Sequence, residues 1–216
     1  MQDLVSVTGM VLRCEPVGEY DRRVIILTKE RGKISCFAKG ARKPNNRFMA
    51  STNPFSFGEF KLFEGRSSYS LNEAIIGNYF EQLRDDFEGA CYGMYFLEVM
   101  DYFTRENNDE KEFLKLLYQS VRALISPKYD NVLVKSVFEI KAICINGEYP
   151  GMPERECPYD ESTEFTVNYI VGSSIEKLYT FAVSKSVLDD LKDISGYLMR
   201  RFTDKPFKSL EMINLL

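Results

Sequence analysis

The sequence predicts an α+β fold in which a five-stranded β-barrel, residues 1–78, precedes an α-helical domain, residues 79–216. Up to Asn78 the chain runs in short segments rich in Val, Ile, Thr and aromatic residues, separated by Gly, Pro, Asn and Asp. That is the composition of strands and turns. Beyond Asn78 apolar residues recur every three or four positions, the period of a helix face. Charge divides at nearly the same place. Residues 1–80 hold 12 Lys and Arg against 8 Asp and Glu, a balance of +4, and the remainder carries −8, for −4 in the whole chain.

The first expected strand is Leu4 to Cys14, with Gly9 marking a bulge or bend. Val17 to Asp21 is a connection, Arg23 to Thr28 a strongly apolar strand, and Glu30-Arg31-Gly32-Lys33 a tight turn into Ile34 to Ala38. Pro44-Asn45-Asn46 lies in a polar, basic excursion. Phe55 to Glu64 alternates apolar and polar, and Ser68 to Ile76 is the fifth strand. Five short strands with a longer excursion between the third and fourth match the Greek-key barrel called the OB-fold.

The helical period begins with Phe87, Cys91, Met94 and Leu97 and runs to Phe103. Asn107-Asn108-Asp109 breaks it and caps a second helix, Phe113 to Ile125, which Ser126-Pro127 ends. A third helix spans Val132 to Ile145, and Asn146-Gly147 terminates it. The segment 148–184 comes next. Pro150, Gly151, Pro153 and Pro158 forbid regular structure at its start, and Glu164–Val171 and Lys177–Val183 suggest a β-hairpin around Gly172-Ser173-Ser174. A capping box at Ser186 to Asp189 opens a helix with Val187, Leu191, Ile194, Leu198 and Phe202 in line, and a short helix from Lys208 to Leu215 follows.

Several function classes fall away. Histidine is absent, which removes Ser-His-Asp and Cys-His catalysis and every imidazole metal site. No Gly-x-x-x-x-Gly-Lys-Ser/Thr or Gly-x-Gly-x-x-Gly occurs, so nucleotide hydrolysis has no support. Asp85-Asp86 and Asp189-Asp190 are neighbours whose side chains diverge on a helix, so neither is an acid/base dyad by itself. Cys14, Cys36, Cys91, Cys144 and Cys157 are odd in number and scattered, and read as reduced thiols. With no leader pattern from Met1 to Val7 and no membrane-length apolar run, the expected location is the cytoplasm.

What remains is a basic cluster. Over residues 13–47 there are 10 Lys and Arg against 4 Asp and Glu. Cations at such density can track a phosphate backbone and gain affinity from counterion release. Aromatic residues among them, Tyr20, Phe37 and Phe48, could supply stacking platforms. Phe37 fits the core better. A solvated strand face with a charged loop is the plainer explanation of the same residues.

The blocks Gly18-Glu19-Tyr20-Asp21-Arg22, Leu27 to Lys33 and Ala38-Lys39-Gly40-Ala41-Arg42-Lys43 resemble the N-terminal domain of the RecO family of recombination mediators. Arg47-Phe48, Pro54-Phe55, Leu62 to Arg66, Tyr92 to Asp101, Asn146 to Pro150 and Lys208-Ser209-Leu210 extend the likeness over nearly the whole chain. The resemblance implies an OB-fold and a helical domain. It also implies a non-enzymatic role in DNA recombination and repair, at the nucleoid: binding single- and double-stranded DNA, annealing complementary strands, pairing with RecR, contacting the tail of single-strand binding protein and helping RecA load. The DNA-binding set is then Arg13, Arg22, Arg31, Lys33, Lys39, Arg42, Lys43 and Arg47. Many members carry two Cys-x-x-Cys pairs in a zinc finger. Here only Cys157 remains, in Cys157-Pro158-Tyr159-Asp160, so no cofactor is expected, and the resemblance marks residues 148–184 as an insertion whose hairpin replaces the finger. For an acidic tail peptide the candidate cations are Lys111, Lys115, Arg122, Lys135 and Lys141, which otherwise only solubilise helix faces. An OB-fold adaptor working mainly through protein contacts is the rival reading. DNA affinity that ignores ionic strength would favour it.

Overall fold

The computed structural model describes residues 4–66 and 68–215, so Met1–Asp3, where the leader reading begins, lie outside the described residues. Five strands form: β1 Leu4–Val17, β2 Asp21–Thr28, β3 Gly32–Ala38, β4 Phe57–Glu64 and β5 Tyr69–Asn78, with a single-turn helix α1, Phe48–Ser51, between β3 and β4. They close into a barrel in the order β1-β2-β3-β5-β4. Neighbours are antiparallel except β3 and β5, which run parallel where Cys36 and Phe37 face Tyr69 and Ser70. This is the OB-fold expected from the sequence.

The first strand is long because it serves two partners. Leu4–Met10 pairs with β4, and Gly9–Val17 with β2. The two ladders overlap at Gly9, which faces Thr28 on one side and Gly58 on the other. A Cβ on Gly9 would lie 2.4 Å from the Leu27 carbonyl oxygen, and one on Gly58 2.2 Å from that of Ile75. Gly9 therefore permits close backbone approach, and the bulge falls a little later, between Val11 and Arg13. The barrel core contains Val7, Val11, Val24, Ile26, Ile34, Cys36, Phe60, Leu62 and Leu71. Burying each large aliphatic or aromatic side chain contributes roughly 1.5–3 kcal/mol. Period-two alternation along β3 sends Ile34, Cys36 and Ala38 inward and Phe37 outward. Phe37 is therefore half-exposed rather than core. The turn from β2 to β3 is fastened by the segment after α2: Lys33 N–H donates to Arg105 O (2.9 Å), and Asn107 N–H to Arg31 O (3.0 Å).

The helices are α2 Phe87–Phe103, α3 Lys111–Leu124, α4 Asn131–Ile145, α5 Glu161–Gly172, α6 Lys185–Phe202 and α7 Lys208–Ile213. The chain forms two compact units. One holds the residues up to Glu81 with Leu97–Leu114, the other Gln82–Phe96 with the residues from Lys115 on. In the second unit α4 is buried nearly all round, and α6 lays Val187, Leu191, Ile194, Leu198 and Met199 into the core. Caps set the helix starts. The Asp130 carboxylate accepts from Val132 N–H (2.7 Å), and the Ser184 hydroxyl from Val187 N–H, so α6 begins two residues before the expected Ser186. Gly147 at φ 80° ends α4, where Glu148 N–H reaches back to Ile143 O.

The expected β-hairpin does not form. Glu164–Val171 lies within α5, and Lys177–Val183 contains no strand. Threonine, valine and isoleucine lend 163–171 the composition of a strand, but its buried residues, Thr163, Thr166, Val167 and Ile170, follow helical spacing. The Asp160 carboxylate caps the helix through Thr163 N–H at 2.7 Å, and Glu161 and Glu164 favour its N-terminal end. Gly172-Ser173 ends the helix instead of turning a hairpin, with Ser173 N–H bonded to Tyr169 O. Among the described residues no helix is long and apolar enough to cross a membrane.

Candidate nucleic-acid interface

The excursion between β3 and α1 is built as an ordered loop. Ala41 is fully buried and Phe48 nearly so, and both belong to the barrel core. Gly40 sits at φ 69°, and its N–H donates to the Asp21 carboxylate at 2.7 Å. The loop is sewn to the β1–β2 turn by Arg42 N–H on Tyr20 O (2.9 Å) and closed on itself by Lys43 N–H on Gly40 O (2.9 Å). The Asn46 side chain accepts from Phe48 N–H at 2.8 Å just before α1. With its apolar members plugged into the barrel, the loop presents Lys39, Arg42, Lys43 and Arg47 to solvent.

These four cations share one property: none forms an ion pair among the described residues. Arg42 donates to Gly18 O at 3.2 Å, and Arg47 to Asn72 O at 2.6 Å while lying over the Phe48 ring. Lys43 Nζ stands 4.9 Å from the centroid of Tyr20, which is 44% exposed. The hydrogen bond with Glu19, and slight desolvation, raise the Tyr20 pKa. Phe48 is core and offers no platform, which leaves Tyr20 on the β1–β2 turn beside the loop and Phe37 on the outer barrel wall.

The other four residues of the expected set are engaged elsewhere. Arg13 Nε and Lys33 Nζ both bind the Asp101 carboxylate at 2.9 Å. Burial works against ionisation of Asp101, but the two cations outweigh it and hold its pKa below the ordinary value. Arg31 bonds Glu64 (2.9 Å) and the Tyr69 hydroxyl (3.1 Å). Arg22 donates to Met49 O, Thr52 Oγ1 and Asn53 Oδ1 within 3.0 Å, pinning the end of α1. Sequence reading missed Asp101 as a counter-charge. It lies 68 residues from Lys33, and no local pattern links the two.

The cations considered for an acidic peptide also divide. Lys111 pairs with Asp109 at 3.2 Å, and Lys115 approaches Glu176 at 3.9 Å, all four exposed. Arg122 is exposed on α3 beside Lys128, Tyr129 and Glu176. Lys135 is tied to the buried Glu139 carboxylate (2.8 Å), which also accepts from the Tyr95 hydroxyl (2.5 Å). Lys141 is buried and donates to the carbonyls of Ile170, Val171 and Ser173 at 2.7–3.2 Å. It closes the C-terminal end of α5.

The residues where relatives would hold zinc do not fit the metal. Cys157 is exposed, and no group of three Cys, Asp or Glu that could hold an ion occurs among the described residues. The segment around it is fastened by Arg155, which pairs with Asp190 (2.9 Å), donates to Pro158 O (3.2 Å) and stacks 3.6 Å from the Tyr159 ring centroid. Elemental analysis of protein purified without chelator is expected to find far less than one zinc per chain. Stoichiometric zinc would overturn that expectation.

Residues 1–80 match the family model described as Recombination protein O N terminal. The DNA repair protein RecO of Alkaliphilus metalliredigens is 33% identical over 241 residues, covering 97% of this chain and 98% of the relative. That of Acetivibrio thermocellus is 27% identical over 98% of this chain and 97% of its own length. With a barrel of the expected topology and a relative one-third identical from end to end, the chain belongs to the RecO family of DNA repair proteins.

Proposed function

We propose that this chain is a non-catalytic mediator of recombinational DNA repair, acting at the nucleoid in the cytoplasm. In this reading it holds single- and double-stranded DNA by the phosphate backbone and anneals complementary strands. It works with RecR, with the tail of single-strand binding protein and, indirectly, with RecA. The observation that carries the reading is the set of four exposed cations with no carboxylate at ion-pair distance among the described residues, Lys39, Arg42, Lys43 and Arg47, on one ordered loop of the barrel. Cations already paired to carboxylates must break those pairs before they meet a phosphate. These four need not, and each phosphate they neutralise releases counterions. No base-reading residue is required, so binding is indifferent to sequence.

Annealing follows without a catalytic group. Two strands repel through their phosphates, and a surface that neutralises both lowers that repulsion and raises their local concentration, after which base pairing completes the step. Exposed Tyr20 offers a ring face to a single strand. On the helical unit, exposed Lys115 and Arg122 support the reading that an acidic tail docks there.

The test is annealing of two complementary fluorescent oligonucleotides at several salt concentrations. The protein is expected to accelerate pairing at low salt and to lose the effect as salt rises. No acceleration at any salt would overturn the reading.

A further inference from the structure

A groove of about 520 Å³ runs along α5, lined by Glu161, Phe165, Thr166, Tyr169, Phe181 and Ala182 among others. It lies within the helical unit and takes no part in the DNA reading. Glu161, Phe165 and Tyr169 are spaced by four along α5 and so share one face of the helix. Phe165 is 73% exposed, an unusual state for so large an apolar side chain. Tyr169 and Phe181 meet edge to face, with centroids 5.4 Å apart. The Tyr169 hydroxyl is anchored on Lys177 O and Thr180 Oγ1, so its ring is held in place.

Three aromatic rings beside a carboxylate make a recognition chemistry for cations: ring faces attract positive charge, and the carboxylate supplies the counter-ion. Elsewhere in this protein rings are matched with cations, as in Lys43 over Tyr20, Lys135 over Tyr95 and Arg155 over Tyr159. Among the described residues no Lys or Arg stands over Phe165, Tyr169 or Phe181. The backbone N–H and C=O groups of Phe181 and Ala182 also make no hydrogen bond among the described residues, and so are open to the main chain of a bound peptide.

Among the described residues lining the groove Glu161 alone is charged, which disfavours a phosphate or an acidic peptide there; Lys177 lies close enough to act on the Tyr169 hydroxyl but does not line the groove. A purely apolar peptide would cover Glu161 without supplying a counter-charge, whereas Thr166 and Thr180 already bond Ser162 O and Lys177 O. A planar guanidinium satisfies both demands, since it stacks on rings and hydrogen-bonds a carboxylate.

We propose that this groove docks an arginine-bearing segment of a protein partner. The arginine side chain lies among Phe165, Tyr169 and Phe181 with its charge on Glu161, and the partner's main chain bonds the open backbone at Phe181 and Ala182.

The test is calorimetry of the full chain with the peptide acetyl-Gly-Arg-Gly-Arg-Gly-amide and its citrulline counterpart, which keeps shape and loses charge. The arginine peptide is expected to bind about tenfold tighter than the citrulline peptide, the range of one desolvated cation–ring contact with its counter-ion. Phe165→Ala is expected to remove most of this preference while leaving net charge and, because Phe165 is exposed, the fold unchanged. Glu161→Gln is expected to reduce it. No detectable binding, equal binding of the two peptides, or an undiminished preference in Phe165→Ala would overturn the proposal. The last outcome would mean that the acidic surface attracts the peptide without help from the groove.

Discussion

Reversing Arg42 and Lys43 together, as Arg42→Glu with Lys43→Glu, is expected to weaken DNA binding on the order of 10- to 100-fold near 0.1 M salt, for single and double strands and for every sequence alike. Each lost phosphate contact removes roughly 0.7–0.9 from the slope of log affinity against log salt, so the slope should flatten by about 1–2 units. The fold should not suffer. Both side chains are exposed and give up only the Arg42 contact with Gly18 O and the Lys43 contact with the Tyr20 ring, while Arg42 N–H to Tyr20 O and Lys43 N–H to Gly40 O belong to the backbone and stay. Unfolding free energy should therefore stay within about 0.5 kcal/mol of the parent, as for ordinary surface changes. The same reversal at Arg13 and Lys33 would be a poorer experiment. It would strip both partners from Asp101, which is partly buried, and confound binding with stability. Fluorescence anisotropy with labelled oligonucleotides across a salt series decides the matter. An affinity and slope equal to the parent's would remove the β3–α1 loop from the interface.

Lys141→Met is expected to destabilise the helical unit by on the order of 2–3 kcal/mol. The methionine keeps most of the buried stem but removes the ammonium that serves three carbonyls, those of Ile170, Val171 and Ser173. Hydrogen bonds from a charged donor contribute about 1.5–3 kcal/mol, and acceptors left buried without a donor add their own desolvation cost. Ser173 N–H on Tyr169 O is the other bond that closes the C-terminal end of α5 among the described residues. Thermal or urea unfolding followed by circular dichroism reads the effect. DNA binding by the barrel loop should persist below the new transition. If stability were unchanged, water would be replacing the ammonium at those carbonyls, and Lys141 would have no structural role.

Lys141 also shows where sequence reading stops. On sequence it is one of several lysines at helical spacing, indistinguishable from Lys115 or Lys135. Lys115 is exposed, Lys135 is half-buried against Glu139, and Lys141 is inside the unit, capping a helix that begins 20 residues later. The hairpin that the sequence suggested fails for a related reason. The β-branched run 163–171 has strand propensity, but propensity is a fraction of a kcal/mol per residue, and the Asp160 cap together with burial of Thr163, Thr166, Val167 and Ile170 along one helical face overrides it.

Patterns repeated over a few residues were legible from sequence alone. β-rich composition and turn residues set the five strands of the barrel, period 3.6 set α2 to α4 and α6, and cation density marked the stretch 13–47. These are local properties, and each residue's share in them depends on its neighbours in the chain. Tertiary structure alone decided which cations remain available. Asp101 on α2 claims Arg13 and Lys33, Glu64 on β4 claims Arg31, and the end of α1 claims Arg22, leaving Lys39, Arg42, Lys43 and Arg47. The physical reason is that charge pairing falls with distance in space and not along the chain. A carboxylate dozens of residues away cancels a cation as fully as an adjacent one once folding brings them to 2.9 Å.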